Sequence, residues 1–208
     1  MKQNDNLIKS LVVTAVILII VFLYSYLYLS NNKKPLNGEL EQYGKADIGG
    51  EFVLTDQYGN IFSTNQLKGA PTIVYFGFSY CPDICPTALS KITEAKKALD
   101  KYNIKTNVVF ITIDPDRDSA GLLKDYLNHF DSDIIGLTGT RAEIEEAANK
   151  FKVYYEVAPN SGTGENDYLI NHSSFIYIMD KDFNYSTHFH LNSDVGDVVN
   201  HIRLNFRN

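Results

Sequence analysis

Apolar residues are arranged in three different ways along this chain. From Leu11 to Leu29 they run uninterrupted by charge, "LVVTAVILIIVFLYSYLYL", a stretch long enough at about 1.5 Å per helical residue to cross a hydrocarbon core of about 30 Å. Its length, and Tyr24, Tyr26 and Tyr28 where an interfacial aromatic belt belongs, predict an uncleaved transmembrane helix rather than a secretory signal. The pattern then lapses. "SNNKKPLNGELEQYGKADIGG" is polar, broken by Pro35 and several glycines, and without apolar period, as expected of a tether. This predicts a tail and anchor over 1–30, a linker over 31–48 and a globular domain over 49–208.

In the globular part, apolar residues recur in short blocks. "EFVLTDQYGNIFS" reads as a hairpin turning at Tyr58, Gly59 and Asn60. "TIVYFGF" and "NVVFITI" read as fully buried strands, each followed by a helical pattern, from about Pro86 to Lys101 and from near Ser119 to Phe130. Thr140 and Glu143 form a capping-box signature for a helix to about Lys150. "NSGTGEND" reads as a surface loop, "SSFIYIM" and "YSTHF" as strands joined by a turn at Asp180 to Asn184, and a last helix opens at Ser193 and runs toward Leu204. Strands with helical crossovers followed by an antiparallel pair predict an α/β sheet covered on both faces.

Composition narrows the function. The chain has 208 residues and is 44% hydrophobic, enough for one real core. Its formal net charge is −6, and residues 1–30 carry +1 from Lys2 and Lys9 against Asp5, which leaves −7 for the rest. An acidic domain without a basic stripe gives no support for nucleic-acid binding. The chain has no internal repeat and no phosphate-binding glycine pattern.

The two cysteines carry the candidate chemistry. Cys81 and Cys85 stand in "FGFSYCPDICPTAL", just past the end of a central strand, where open α/β sheets place their sites. A spacing of four suits two ligands of one metal on a helical face about 5 to 6 Å apart, whereas the spacing of three in CxxC suits redox cycling. A helix N-terminus favours thiolate, and Pro82 and Pro86 stiffen the loop. Two buried apolar thiols, or a reversible Cys81 to Cys85 disulfide, are the alternatives.

A two-thiolate site needs a further ligand, and there are five histidines. His129 and His201 fall on helices and receive no function. His188 and His190 alternate with Phe189 on a strand; a two-residue metal clamp is conceivable there, though solvent-facing polar positions explain them more simply. His172, in "YLINHSSFIYIM", opens a buried strand after the long loop and reaches the cysteine loop if the two strands are neighbours. A satisfied structural histidine is its alternative.

"GGEFVLTDQYGN", "FGFSYCPDICPTAL", "VVFITIDPDRDS", "GLTGT" and "DYLINHSSFIYIMDKDFNY" occur in an order that resembles the Sco/SenC family of membrane-anchored copper proteins required for assembling the copper site of cytochrome c oxidase. The resemblance implies a thioredoxin-like fold with an added N-terminal hairpin. It implies copper bound by Cys81, Cys85 and His172, and a place for Asp114 near the site or in partner contact. A turn residue capping the strand end beside Pro115 is an equally good reading of Asp114. Two thiolates and one imidazole suit Cu(I), and Cu(II) with a fourth position open. Structural zinc wants four ligands. With Met179 the only methionine beyond Met1, a methionine-rich copper site is excluded.

Copper is then cargo rather than an enzyme's cofactor. The expected partners are the membrane and the copper-site subunit of the oxidase, with no small-molecule substrate. The domain is expected on the exported side of a bacterial inner membrane or a mitochondrial inner membrane, with Lys2 and Lys9 on the cytoplasmic or matrix side. The other class is a thiol-disulfide oxidoreductase keeping the oxidase's ligand cysteines reduced. Against it, thioredoxin-like oxidoreductases resemble one another in a cis-proline before the late strand, where this chain has "NH". A docking module with a decayed site is disfavoured, because all three ligands are present.

Overall fold

The computed structural model describes residue 15 and residues 17–26, 47–159 and 167–206. The chain divides into two units, Met1–Ala46 and Asp47–Asn208. In the first, residues 17–26 are helical and exposed. The rest of the predicted span (residue 15, also helical, apart) and the tether to residue 46 lie outside the described residues, as do residues 160–166 of the predicted surface loop. No helix among the described residues is long and apolar enough to cross a membrane.

The second unit is built on a seven-stranded sheet of order β2-β1-β5-β4-β3-β8-β9. β1 (Val53–Asp56) and β2 (Ile61–Ser63) form the predicted hairpin, with Leu54 opposite Phe62. The Asp56 carboxylate accepts from the amides of Tyr58 and Asn60 in its turn, where Gly59 takes the positive φ of 83° that a side chain would oppose. β3 (Thr72–Gly77), β4 (Asn107–Thr112) and β5 (Ile135–Thr138) run parallel. β8 (Phe175–Met179) and β9 (Tyr185–His190) complete the sheet antiparallel. Every residue of β3 is buried, which is why it reads as an unbroken apolar run rather than an alternation.

Tyr75 pairs with Ile176 and Val74 with Tyr177, so alternate residues of β3 and β8 face opposite layers. On one face lie α1 (Ile84–Lys101), α2 (Ala120–Asn128) and α4 (Val195–Asn205), against Tyr75, Phe110 and Ile176. On the other, Phe151 ends α3 (Arg141–Lys150), its ring 5.2 Å from Phe76 and 5.3 Å from Tyr177. The predicted capping box of α3 is present with both of its bonds.

Three strands were not foreseen. β5 is short and carries Gly136, where a Cβ would come within 2.5 Å of Leu127 in α2. β6 (Tyr155–Val157) and β7 (Ile170–His172) pair as a separate ribbon of three residues a side, with Tyr155 opposite His172. Two helix starts also differ from expectation. α1 begins at Ile84, two residues before Pro86, so the proline sits in the first turn where amides lack intrahelical partners. α4 is capped by Asp194 rather than Ser193, the Asp194 carboxylate accepting from the Gly196 amide at 2.6 Å.

Candidate metal centre

The loops that follow β3 and β4 are tied together at the carboxyl edge of the parallel strands. Asp118 does this: its carboxylate accepts from the Ser79 amide at 3.0 Å, from the Ser79 hydroxyl, and from the Thr112 hydroxyl at 2.6 Å. Asp118 is fully buried, and burial pushes its carboxyl above the usual range. Held from below, the chain turns at Phe78, whose carbonyl accepts from the Cys81 amide at 3.3 Å, and enters α1 at Ile84.

Cys81 therefore precedes the helix and Cys85 is its second residue, so the pair does not stack along one helical face as the spacing predicted. The turn joins them instead. The Cys85 amide, one of the unpartnered donors at the helix start, points at Cys81 Sγ at 3.4 Å. Both are free thiols, Cys81 9% exposed and Cys85 0%. Gly77, at the end of β3, leaves room for them: a Cβ there would lie 2.9 Å from Cys85 Sγ.

His172 is brought to the cysteines by the β6–β7 ribbon. Its Nε2 lies 3.7 Å from Cys85 Sγ. Its Nδ1 lies 3.0 Å from the Ser173 carbonyl, an acceptor only, so Nδ1 carries the proton and the Nε2 lone pair faces the sulfur. The ring stands edge-on to Tyr75 and Phe78 at 6.3 and 6.0 Å. At bond lengths of about 2.3 Å to sulfur and 2.0 to 2.1 Å to nitrogen, two donors sharing one ion at trigonal or tetrahedral angles lie about 3.6 to 3.8 Å apart. The Cys85–His172 pair thus has the separation of two ligands of one ion. Cys81 joins the pair through the Cys85 amide, 3.4 Å from its Sγ. Among the described residues no three His, Cys, Asp or Glu side chains form a ready-made cage.

The two thiols are electrostatically unequal. The Cys85 hydrogen bond holds the Cys81 thiol well below its ordinary value, helped by the Cys85 and Asp83 amides and opposed by burial. Cys85 is pushed the other way, first by donating to Cys81 and then by burial. Of the two sulfurs, the thiolate is therefore favoured at Cys81. Burial also raises the Tyr75 phenol, whose Oη lies 3.9 Å from Cys85 Sγ.

Asp114 is buried and sits one step removed from the sulfurs. Its carboxylate accepts from Arg117 Nε and from the Tyr168 hydroxyl at 2.7 Å. Arg117 links it to the cysteine loop, since its guanidinium lies 3.6 Å from the Tyr168 ring, 4.8 Å from Tyr80 and 5.7 Å from Phe78. Sequence reasoning missed Tyr75, Arg117, Asp118 and Tyr168. The only signal for the middle pair was the charge-dense "DPDRD". His129 is exposed, with Nδ1 3.3 Å from the Tyr126 carbonyl, and half-buried His201 meets the Ser186 hydroxyl at 3.0 Å. His188 and His190 lie exposed on β9, and Met179 is fully buried in the core.

A family model described as SCO1/SenC matches residues 40–206. An SCO2-like protein of Rickettsia felis is 42% identical over 206 residues, covering 99% of this chain and 100% of its own length. A solved structure of yeast Sco1 with copper bound superposes with a TM-score of 0.69 at 43% identity, covering 75% of this chain and 88% of that one. Bradyrhizobium japonicum ScoI with copper bound gives a TM-score of 0.68 at 38% identity, covering 76% and 98%. The mixed α/β architecture around β3, β4, β8 and β9 is the thioredoxin-like fold of these proteins.

Proposed function

The chain belongs to the SCO1/SenC family, and from that premise we propose that it is a copper carrier whose cargo is held by Cys81, Cys85 and His172. The observation that carries this reading is the 3.7 Å separation of Cys85 Sγ and His172 Nε2, with the imidazole lone pair facing the sulfur. Two related proteins whose solved structures are described with copper bound share 38% and 43% of its sequence. Two sulfurs and one imidazole satisfy Cu(I) and leave Cu(II) one position short. A site that is filled by three donors and rimmed by exposed Tyr80 and Ile84 can give its ion to incoming ligands. The recipient in this reading is the dinuclear copper site of cytochrome c oxidase during assembly. Leu11–Leu29 anchors the carrier in the membrane with the domain on the exported side, and Asp114, held by Arg117, steadies the loops around the site.

A second reading has an observation of its own. A slightly exposed Cys81, its thiol held low, beside a fully buried Cys85 is the arrangement of an attacking and a resolving thiol, so the alternative is that the domain reduces a partner's disulfide and is left with a Cys81–Cys85 disulfide. The two readings part at His172, which only the carrier needs. Oxidase assembly in cells carrying only His172→Ala, measured beside thiol exchange by the purified protein, separates them. The carrier reading expects assembly to fail while exchange persists; oxidase that acquires its copper normally assigns the cysteines to exchange.

A further inference from the structure

We propose that His188 and His190 form a second metal site on this chain, one that takes a borderline divalent ion, Cu(II) ahead of Zn(II), through two imidazole nitrogens and solvent. Both lie on β9, the edge strand of the sheet, two residues apart and so on the same face, and both are exposed. Their ring centroids are 6.0 Å apart. Two nitrogens each about 2.0 to 2.1 Å from a shared ion lie about 3 to 4 Å apart, a separation these rings reach when a nitrogen of each turns toward the other.

The rings are held for it. Phe175 pairs with His190 across the strands, and its ring lies edge-on to both imidazoles, 4.8 Å from His188 and 4.9 Å from His190. Tyr177, paired with His188, extends the same aromatic floor at 6.2 Å. The Tyr185 hydroxyl lies 2.5 Å from His188 Nδ1. With Nδ1–H donating to that oxygen, Nε2 is the nitrogen left for a metal, the arrangement in which the outer ring nitrogen of a ligating histidine is fixed by a neighbour. A solvent-facing polar pair needs neither the aromatic floor nor the hydroxyl.

The donor set selects the ion. Two neutral imidazoles without sulfur favour Cu(II), Ni(II) or Zn(II), and among available ions Cu(II) binds most tightly to a given nitrogen site. Phe175 and Tyr177 lie on the face of the sheet opposite Tyr75, whose hydroxyl adjoins Cys85. The pair is therefore separate from the cysteine loop. It is also near: Phe175 follows His172 by three residues, which places the His172 and His190 Cα atoms no more than roughly 16 Å apart. A site of two histidines and water holds its ion loosely enough to release it.

The test uses the full chain carrying Cys81→Ser and Cys85→Ser, so that it is independent of the thiolate site. Titration with Cu(II) alone, followed by electron paramagnetic resonance, is expected to give one bound ion per chain with nitrogen hyperfine structure. Adding His188→Gln and His190→Gln is expected to weaken binding by at least the 10 to 100-fold typical of losing a supporting group. Tyr185→Phe, which keeps both ligands, is expected to weaken it by a smaller factor while leaving the nitrogen signature. The proposal is overturned if the cysteine-free chain binds no Cu(II), or if its signal survives undiminished in the double glutamine variant with an unchanged thermal midpoint.

Discussion

Cys85 Sγ and His172 Nε2 lie 3.7 Å apart although 87 residues separate them in the chain. Nothing local to either residue makes this contact; the β6–β7 ribbon carries the histidine over the helix start at which the sulfur sits. The cysteines alone could serve exchange or metal binding. The imidazole lone pair beside them is what favours the metal.

The inequality of the thiols gives the first prediction. Cys81 has a depressed value and slight exposure, Cys85 a raised value and none, so iodoacetamide should modify Cys81 first and nearly alone. The reactive thiolate persists as pH falls until the folded value of Cys81 is crossed, so its alkylation should continue well below the pH at which an ordinary thiol, with a value of about 8.5, stops reacting. Cys85→Ala removes the side-chain donor that does most to lower Cys81 and should move the Cys81 profile to higher pH. Mass spectrometry of alkylated peptides across pH 4 to 9 reads all three; equal labelling of the two cysteines would refute the asymmetry.

Arg117 and Asp114 form a buried pair, their side chains 6% and 2% exposed. Removing one partner strands the other's charge in the interior, so Arg117→Ala should cost about 3 to 5 kcal/mol of stability. Replacing both, with Arg117→Met and Asp114→Asn, should cost less than the single change. Denaturant unfolding of the three proteins gives the comparison.

Much of the fold is legible in the sequence because burial on both faces writes it there. β3, β4 and β8 are apolar runs, and the capping box of α3 is spelled out by Thr140 and Glu143. What escapes has a common physical cause. β5 owes its place to Gly136 receiving Leu127, and β6 and β7 are three residues long, too short to show a period. The cysteine pair is legible from its place at a strand end. The supports of the cysteine loop are not, because Tyr75, Asp118 and Tyr168 act through contacts spanning 10 to 54 residues that no local pattern encodes.

Gly77 is required by the site itself. A Cβ there would come within 2.9 Å of Cys85 Sγ and 3.0 Å of both Phe110 and Tyr75, all in a packed interior. Gly77→Ala should cost about 1 to 3 kcal/mol by overpacking. It should also displace the sulfur and weaken metal binding, which Gly121→Ala, with nothing within 4 Å of its Cβ and no positive φ, should not do. Thermal unfolding and copper titration of both variants test this.

The anchor is tested by topology. If Leu11–Leu29 spans the membrane with Lys2 and Lys9 on the inner side, a reporter fused after Asn208 should be active only when exported, and the chain should resist carbonate extraction. Activity in the cytoplasm would overturn both the orientation and the proposed recipient.

The copper reading stands or falls on the imidazole. His172→Ala leaves both thiols and the start of α1 in place, so the protein should still take up one Cu(I). Its Cu(II) affinity should fall by at least the about 10 to 100-fold lost when only a supporting group is removed. The direct measurement is the pair of dissociation constants, Cu(I) and Cu(II), for the wild-type chain and for His172→Ala by competition with chelators of known affinity. A loss much larger for Cu(II) than for Cu(I) is what the account predicts; two unchanged constants would contradict it.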